Sequence, residues 1–207
     1  MDRGRQEKNT GFQQKPVAFR ELQYKSFFML DKLLDLVKNY AGDAVVQNPA
    51  IPNEKNEEAV TAGGSSIIAT LQSALASGRL NDVLGYFKGG GNAGIVNEAT
   101  NKYTEELQSK FGMNEGQAKD AASKVIPPAM EQLARKTNDP SDNSFDIQDI
   151  FNQLSGGKTG GIDVKGLLNR FGAGNLDKDN DGDVDLKDLQ SMFAGGGAGG
   201  IIGGLFK

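Results

Sequence analysis

The sequence predicts an all-α protein, a compact helical domain followed by a small EF-hand-like helix–loop–helix lobe, and three observations carry that expectation. From Met29 onward, apolar residues return every three or four positions in one segment after another. Each segment closes on glycine, asparagine or proline. No run alternates apolar and polar residues with the period of two that a half-buried strand needs.

The elements follow in order. In "MLDKLLDLVKNYAG", Leu30, Leu33, Leu34, Val37 and Ala41 form one stripe, and Gly42 stands where a left-handed helix cap is wanted. After "NPAIPN", Asn53 is placed to cap a second helix with Val60, Ile67, Ile68, Leu71 and Leu75 on one face. Within it Gly63 and Gly64 permit close packing, and Gly78 ends it. "RLNDVLGYF" contributes Leu80, Val83, Leu84 and Phe87. The next helix contributes Val96, Ala99, Tyr103 and Leu107 and stops at Gly112. A fifth begins near Asn114 and runs through Ala118, Ala122, Val125 and Ile126 to Met130 and Leu133, with Pro127 and Pro128 expected to bend or interrupt it. The expected organisation is a leader over 1–28, either unstructured or preceding a true start at Met29. A helical domain over 29–143, a degenerate-plus-intact loop pair over 144–194 and a glycine-rich tail over 195–207 complete it.

Composition removes whole classes of chemistry. Cys, His and Trp are absent, so disulfides, Cys/His zinc sites and Ser-His or Cys-His nucleophiles are excluded. Adjacent carboxylates such as Glu57 and Glu58, or Glu105 and Glu106, point about 100° apart on a helix and read as solvated faces. Tyr40, Tyr86 and Tyr103 read as core or rim. "GYFKGGGNAG" lacks the Gly-Lys-Ser/Thr ending and leading strand of a phosphate loop. The expectation is therefore a protein that is not an enzyme. The longest apolar run of the leader, "FFML", is far shorter than a secretory core, and no transmembrane segment is expected, which places the protein in the cytoplasm.

Charge is unevenly distributed. The chain carries 23 Lys+Arg and 27 Asp+Glu, and "DKDNDGDVDLKD", Asp177 to Asp188, alone holds six aspartates and two lysines. The remainder balances at 21 of each sign, so no basic face is offered to nucleic acid. Six carboxylates in twelve residues repel one another unless a cation sits among them. An EF-hand-type calcium loop takes oxygen ligands at positions one, three, five, seven, nine and twelve, with glycine at six. Asp177, Asp179 and Asp181 supply side-chain oxygens, Gly182 the turn, Asp183 its carbonyl, Asp185 a direct or water-borne ligand, and Asp188 closes the sphere. Oxygen-only ligation favours Ca²⁺ over transition metals. Aspartate at position twelve reaches one methylene less far than glutamate, so the expected dissociation constant is on the order of 10⁻⁶ to 10⁻³ M.

Two resemblances follow from quoted residues. "GMNEGQAKDAASKVIPPAMEQL", Gly112 to Leu133, resembles the signature of the bacterial YidB-like family, a domain of unknown function, through Gly112, Met113, Gln117, Ala118, Ile126, Pro127 and Leu133. That resemblance spans about 29–157 and implies an all-helical fold with no assigned activity; Pro128 departs from the pattern. The acidic loop, with aspartate at position twelve and the exiting helix "DLKDLQSMF", is similar to the dockerin variety of calcium loop.

A shift of 22 residues aligns "GGIDVKGLLNRF" with "GDVDLKDLQSMF", so the loop has an upstream copy. Ser155, Gly157, Thr159 and Gly166 occupy its positions one, three, five and twelve, leaving Asp163 as its one carboxylate. Ile162 and Val184 are expected to pair as short strands, and "SFDIQDIFNQL" to supply the entering helix. Leu167, Leu168, Phe171, Leu189, Met192 and Phe193 are expected to form a small core. One working site points to a structural or modestly responsive role. The alternatives are a calcium-dependent protein-interaction module, weakened by the missing second site, or self-association through the tail "AGGGAGGIIGGLFK", which otherwise reads as a tether.

Overall fold

The computed structural model describes residues 31–89, 93–159 and 161–170; every described regular element is helical. α1 covers 31–40 and runs through Ala41 into a π turn, Gly42–Val46. A single 3₁₀ turn, Asn53–Lys55, leads into α2 (Asn56–Ala76). α3 (Leu80–Phe87), α4 (Ala93–Phe111), α5 (Glu115–Asn138), α6 (Ile147–Leu154) and α7 (Val164–Arg170) follow.

α2 is the central post. α4 lies along both α2 and α5, and α3, α5 and α6 also pack on α2. Its small residues allow this. A Cβ added at Gly63 would stand 3.0 Å from Val37 Cγ1 and 3.4 Å from the Tyr103 ring, so α1 and α4 approach α2 where it has no side chain. At Gly64 an added Cβ would lie 2.8 Å from Leu34 Cδ2. By length and composition the helical stretch Asn53–Ala76 is apolar enough to cross a bilayer, and 56% of that window is buried inside the protein's own core.

The predicted stripes are buried in large part. Leu33, Val37, Ala41, Val60, Ile67, Leu71, Leu80, Val83, Leu84 and Phe87 all belong to one hydrophobic core, as do Ala99, Tyr103, Leu107, Ala118, Ala122, Val125, Ile126, Met130 and Leu133. Two stripes are shifted. Leu36, off the predicted face of α1, is buried, and in α4 Ile95 goes inward while Val96 is only half-buried. Tyr86 and Tyr103 are both core residues. Their hydroxyls donate to carbonyls 44 positions away in the chain, Tyr86 to Met130 at 2.5 Å and Tyr103 to Ala59 at 3.0 Å. Burial pushes both phenol pKa values far above the ordinary tyrosine range, so both remain neutral donors.

Several local expectations are corrected. Gly42 is not left-handed. The chain instead widens, with Val46 N–H donating to Ala41 at 2.9 Å and Gln47 N–H to Gly42 at 2.9 Å, which carries Ala44 and Val45 into the core. Burying those two residues outweighs a simple cap. Asn53 does not cap α2, because it lies in the preceding 3₁₀ turn; Asn56 instead donates from Nδ2 to the Val46 carbonyl at 3.0 Å. The pair Pro127–Pro128 lies inside an uninterrupted α5. Neither proline can donate, so the carbonyls of Ser123 and Lys124 lose their helical partners, but both residues are exposed and water can serve them. Ile126, Ala129 and Met130, fully buried on the opposite side, hold the helix together across the defect.

The helix ends behave as expected elsewhere. Gly78 and Gly112 take φ of +77° and +71°, where a side chain would be strained. At Asn114 a capping box forms, the Asn114 side chain accepting from Gln117 N–H at 2.9 Å while the Gln117 side chain accepts from Asn114 N–H.

The close approach at Gly63 yields a stability test. Gly63→Val is expected to lower unfolding free energy by about 2 kcal/mol, since Val37 and the Tyr103 ring are buried and have little room to move. Gly64→Ala should be milder, because the flexible Leu34 side chain can turn away and alanine gains about 1 kcal/mol of helix propensity. Urea denaturation of the two variants distinguishes these outcomes.

Candidate metal centre

The six aspartates Asp177, Asp179, Asp181, Asp183, Asp185 and Asp188 lie outside the described residues, as do Val184 and the glycine-rich tail. The upstream copy is described, and it shows how a loop of this register is held. α6 begins at Asp146, whose carboxylate caps it by accepting from Gln148 N–H at 2.8 Å. Ile147, Ile150, Phe151 and Leu154 form its buried face. Phe151 lies against Phe87 of α3 with ring centroids 6.0 Å apart. The described residues on both sides of position 143 therefore share one core.

α6 ends immediately before loop position one, and α7 starts at position ten. Between them the chain closes by hydrogen bonds. Gly156 and Gly157 take φ of +65° and +90°, and Gly157 N–H returns to the Asn152 carbonyl at 2.6 Å. The hydroxyls of Ser155 and Thr159, at positions one and five, lie 3.1 Å apart, and Thr159 N–H donates to Ser155 Oγ at 3.1 Å. Gln148 spans the loop, donating from Nε2 to the Thr159 carbonyl at 3.1 Å and accepting from Val164 N–H at 3.0 Å. Two hydroxyls thus bond to each other at positions where a calcium loop places carboxylates.

Asp163, the one retained carboxylate, has another task. Its Oδ1 accepts from Gly166 N–H at 2.9 Å and caps α7. A Cβ at Gly166, position twelve, would stand 2.3 Å from Asp163 Oδ2, so a closing carboxylate has no place there without moving that cap. The upstream loop is unsuited to a cation in residue type, in backbone conformation and in space. Ile162, expected to pair with Val184 as a strand, is partly buried against the core, and no strand occurs among the described residues.

Sequence reasoning missed the fastening between the two helices. Lys165 Nζ of α7 lies 2.6 Å from Asp146 Oδ2 at the start of α6. Partial burial works to raise the Asp146 pKa, but the hydrogen bonds and charge of Lys165 win and hold it below the ordinary carboxylate range; Lys165 is raised in turn. Gln148 carried no sequence signal, because its role depends on where both loop ends fall in space. Elsewhere, Glu57, Glu58 and Glu105 are exposed, and Glu106 pairs with Lys110 at 2.5 Å. A cleft of about 620 Å³ lies between α3, α4 and α5, lined by Tyr86, Val96, Pro127, Arg135 and Asn138 among others. No family model, curated protein or solved structure matches this chain.

Asp146→Ala removes both the α6 cap and the tie to α7, and a loss of about 1 kcal/mol at neutral pH is expected. Because the folded-state pKa of Asp146 is lowered, its contribution is complete above the unfolded carboxylate value of about 4 and fades as pH falls through the folded value. Thermal melts at pH 7 and pH 3 should show the difference between wild type and variant shrinking in acid. A constant difference would mean that the carboxylate charge plays no part.

Proposed function

We propose that this protein binds one calcium ion in the loop Asp177–Asp188 and uses it to stabilise a lobe attached to a helical domain of the YidB-like kind, with no catalytic activity of its own. One observation carries the reading. Ligand-bearing residues stand at positions one, three, five, seven, nine and twelve, and glycine at six, in a single twelve-residue stretch.

The upstream copy supports it by contrast. Residues that take left-handed conformations there, Gly156 and Gly157, are replaced at the equivalent downstream positions by Lys178 and Asp179. Side chains at those φ values are strained, so the acidic loop needs a different path and a different source of closure. The Ser155–Thr159 hydroxyl pair has no counterpart either, since Asp177 and Asp181 repel where the hydroxyls attract. A divalent cation turns that repulsion into attraction. At a calcium concentration 100-fold above the dissociation constant the folded form gains about 2.7 kcal/mol, enough to decide whether a glycine-rich lobe with few large side chains is ordered.

Calorimetry of the full chain with Ca²⁺ is expected to give one binding event with a dissociation constant on the order of 10⁻⁶ to 10⁻³ M, abolished in Asp177→Ala. Asp188→Glu lengthens the closing ligand enough for two-oxygen contact, so it should tighten calcium about tenfold and magnesium much less, because Mg²⁺ holds to smaller octahedral geometry. Absence of any calcium heat in wild type would reject the proposal.

A further inference from the structure

Resting on that calcium reading, we infer that the ion's occupancy is transmitted through Phe151 to the cleft between α3, α4 and α5. The cleft, about 620 Å³, falls in the size range of ligand pockets. Two of its lining residues are fixed by Phe87. Tyr86 is its chain neighbour and meets it edge-on at 4.8 Å, and Asn138 donates from Nδ2 to the Phe87 carbonyl. Phe87 is itself fully buried and rests on the Phe151 ring of α6.

From Phe151 the connection runs to the loop pair through short polar ties. Gln148, one turn earlier on α6, bonds to Thr159 and Val164, and Asp146 holds Lys165 of α7. α7 ends at Arg170, seven residues before Asp177. Ordering the acidic loop therefore restrains the chain leaving α7, and α7 is bonded to α6 at both Gln148 and Asp146. A close-packed aromatic pair has few alternative positions, so restraint on α6 restrains Phe87 and with it the Tyr86 and Asn138 walls of the cleft. The helical domain is thereby a reporter of the ion, although it supplies none of the proposed ligands.

Hydrogen exchange of the full chain, read by mass spectrometry on peptides covering 84–89 and 131–139, tests this with CaCl₂ against EGTA. Full linkage at 100-fold excess over the dissociation constant permits about 100-fold slowing, and transmission predicts at least about threefold slowing at these peptides. Phe151→Leu should still show calcium heat by calorimetry while losing most of the slowing; Asp177→Ala should lose both. Calcium heat without slowing in wild type overturns the transmission and leaves the calcium reading standing, whereas no heat at all removes both. Slowing that survives in a folded Phe151→Leu protein overturns the route through Phe151. Should that variant fail to fold, Phe151→Met, which keeps bulk without a ring, takes its place under the same criteria.

Discussion

The close approach of α1 and α4 to α2 at Gly63 is the constraint on which the remaining architecture depends. With Val37 Cγ1 only 3.0 Å from where a Cβ would stand, α2 is enclosed along its middle by neighbours that a larger residue would push apart. That enclosure lets a helix apolar enough for a bilayer serve as the buried post of a helical domain. Around it, α4 lies against both α2 and α5, and α5 holds straight through two prolines because its buried face is continuous. α6 uses the same core, with Phe151 seated on Phe87.

The two copies of the loop register present two answers to one problem. A chain leaving a helix and turning into another must satisfy its backbone groups and hold its ends together. The upstream copy does so with left-handed glycines, a hydroxyl pair and the Gln148 side chain, all uncharged. Downstream, the same positions carry aspartates, which repel until a cation is supplied. The first solution is permanent and the second conditional. On the proposed reading, the permanent half links the conditional half to the core.

Much of the fold was legible in the sequence because helical burial leaves a periodic trace. Leu80, Val83, Leu84 and Phe87 are all buried, and Gly78, Gly112 and the Asn114 capping box stand where local chemistry places them. The misses share a cause. Gly42 was expected as a cap and α5 was expected to break at Pro127, since local propensity argued for both; tertiary burial of Val45 on one side and of Ile126 and Met130 on the other overrode it. For the candidate site, the ligand pattern is a local feature and can be read from twelve residues. The Asp146–Lys165 tie and the Gln148 clamp span 16 to 19 positions, and only the folded path of the chain brings them together.

The number of calcium ions bound per chain tests the central claim most directly. Equilibrium dialysis of the full chain against radioactive calcium, at concentrations spanning the micromolar to millimolar range, should saturate at one ion per chain. Saturation at two would mean that the upstream loop also takes an ion despite its glycines and its Asp163 cap. A value of zero would mean that the aspartates serve some purpose other than holding calcium.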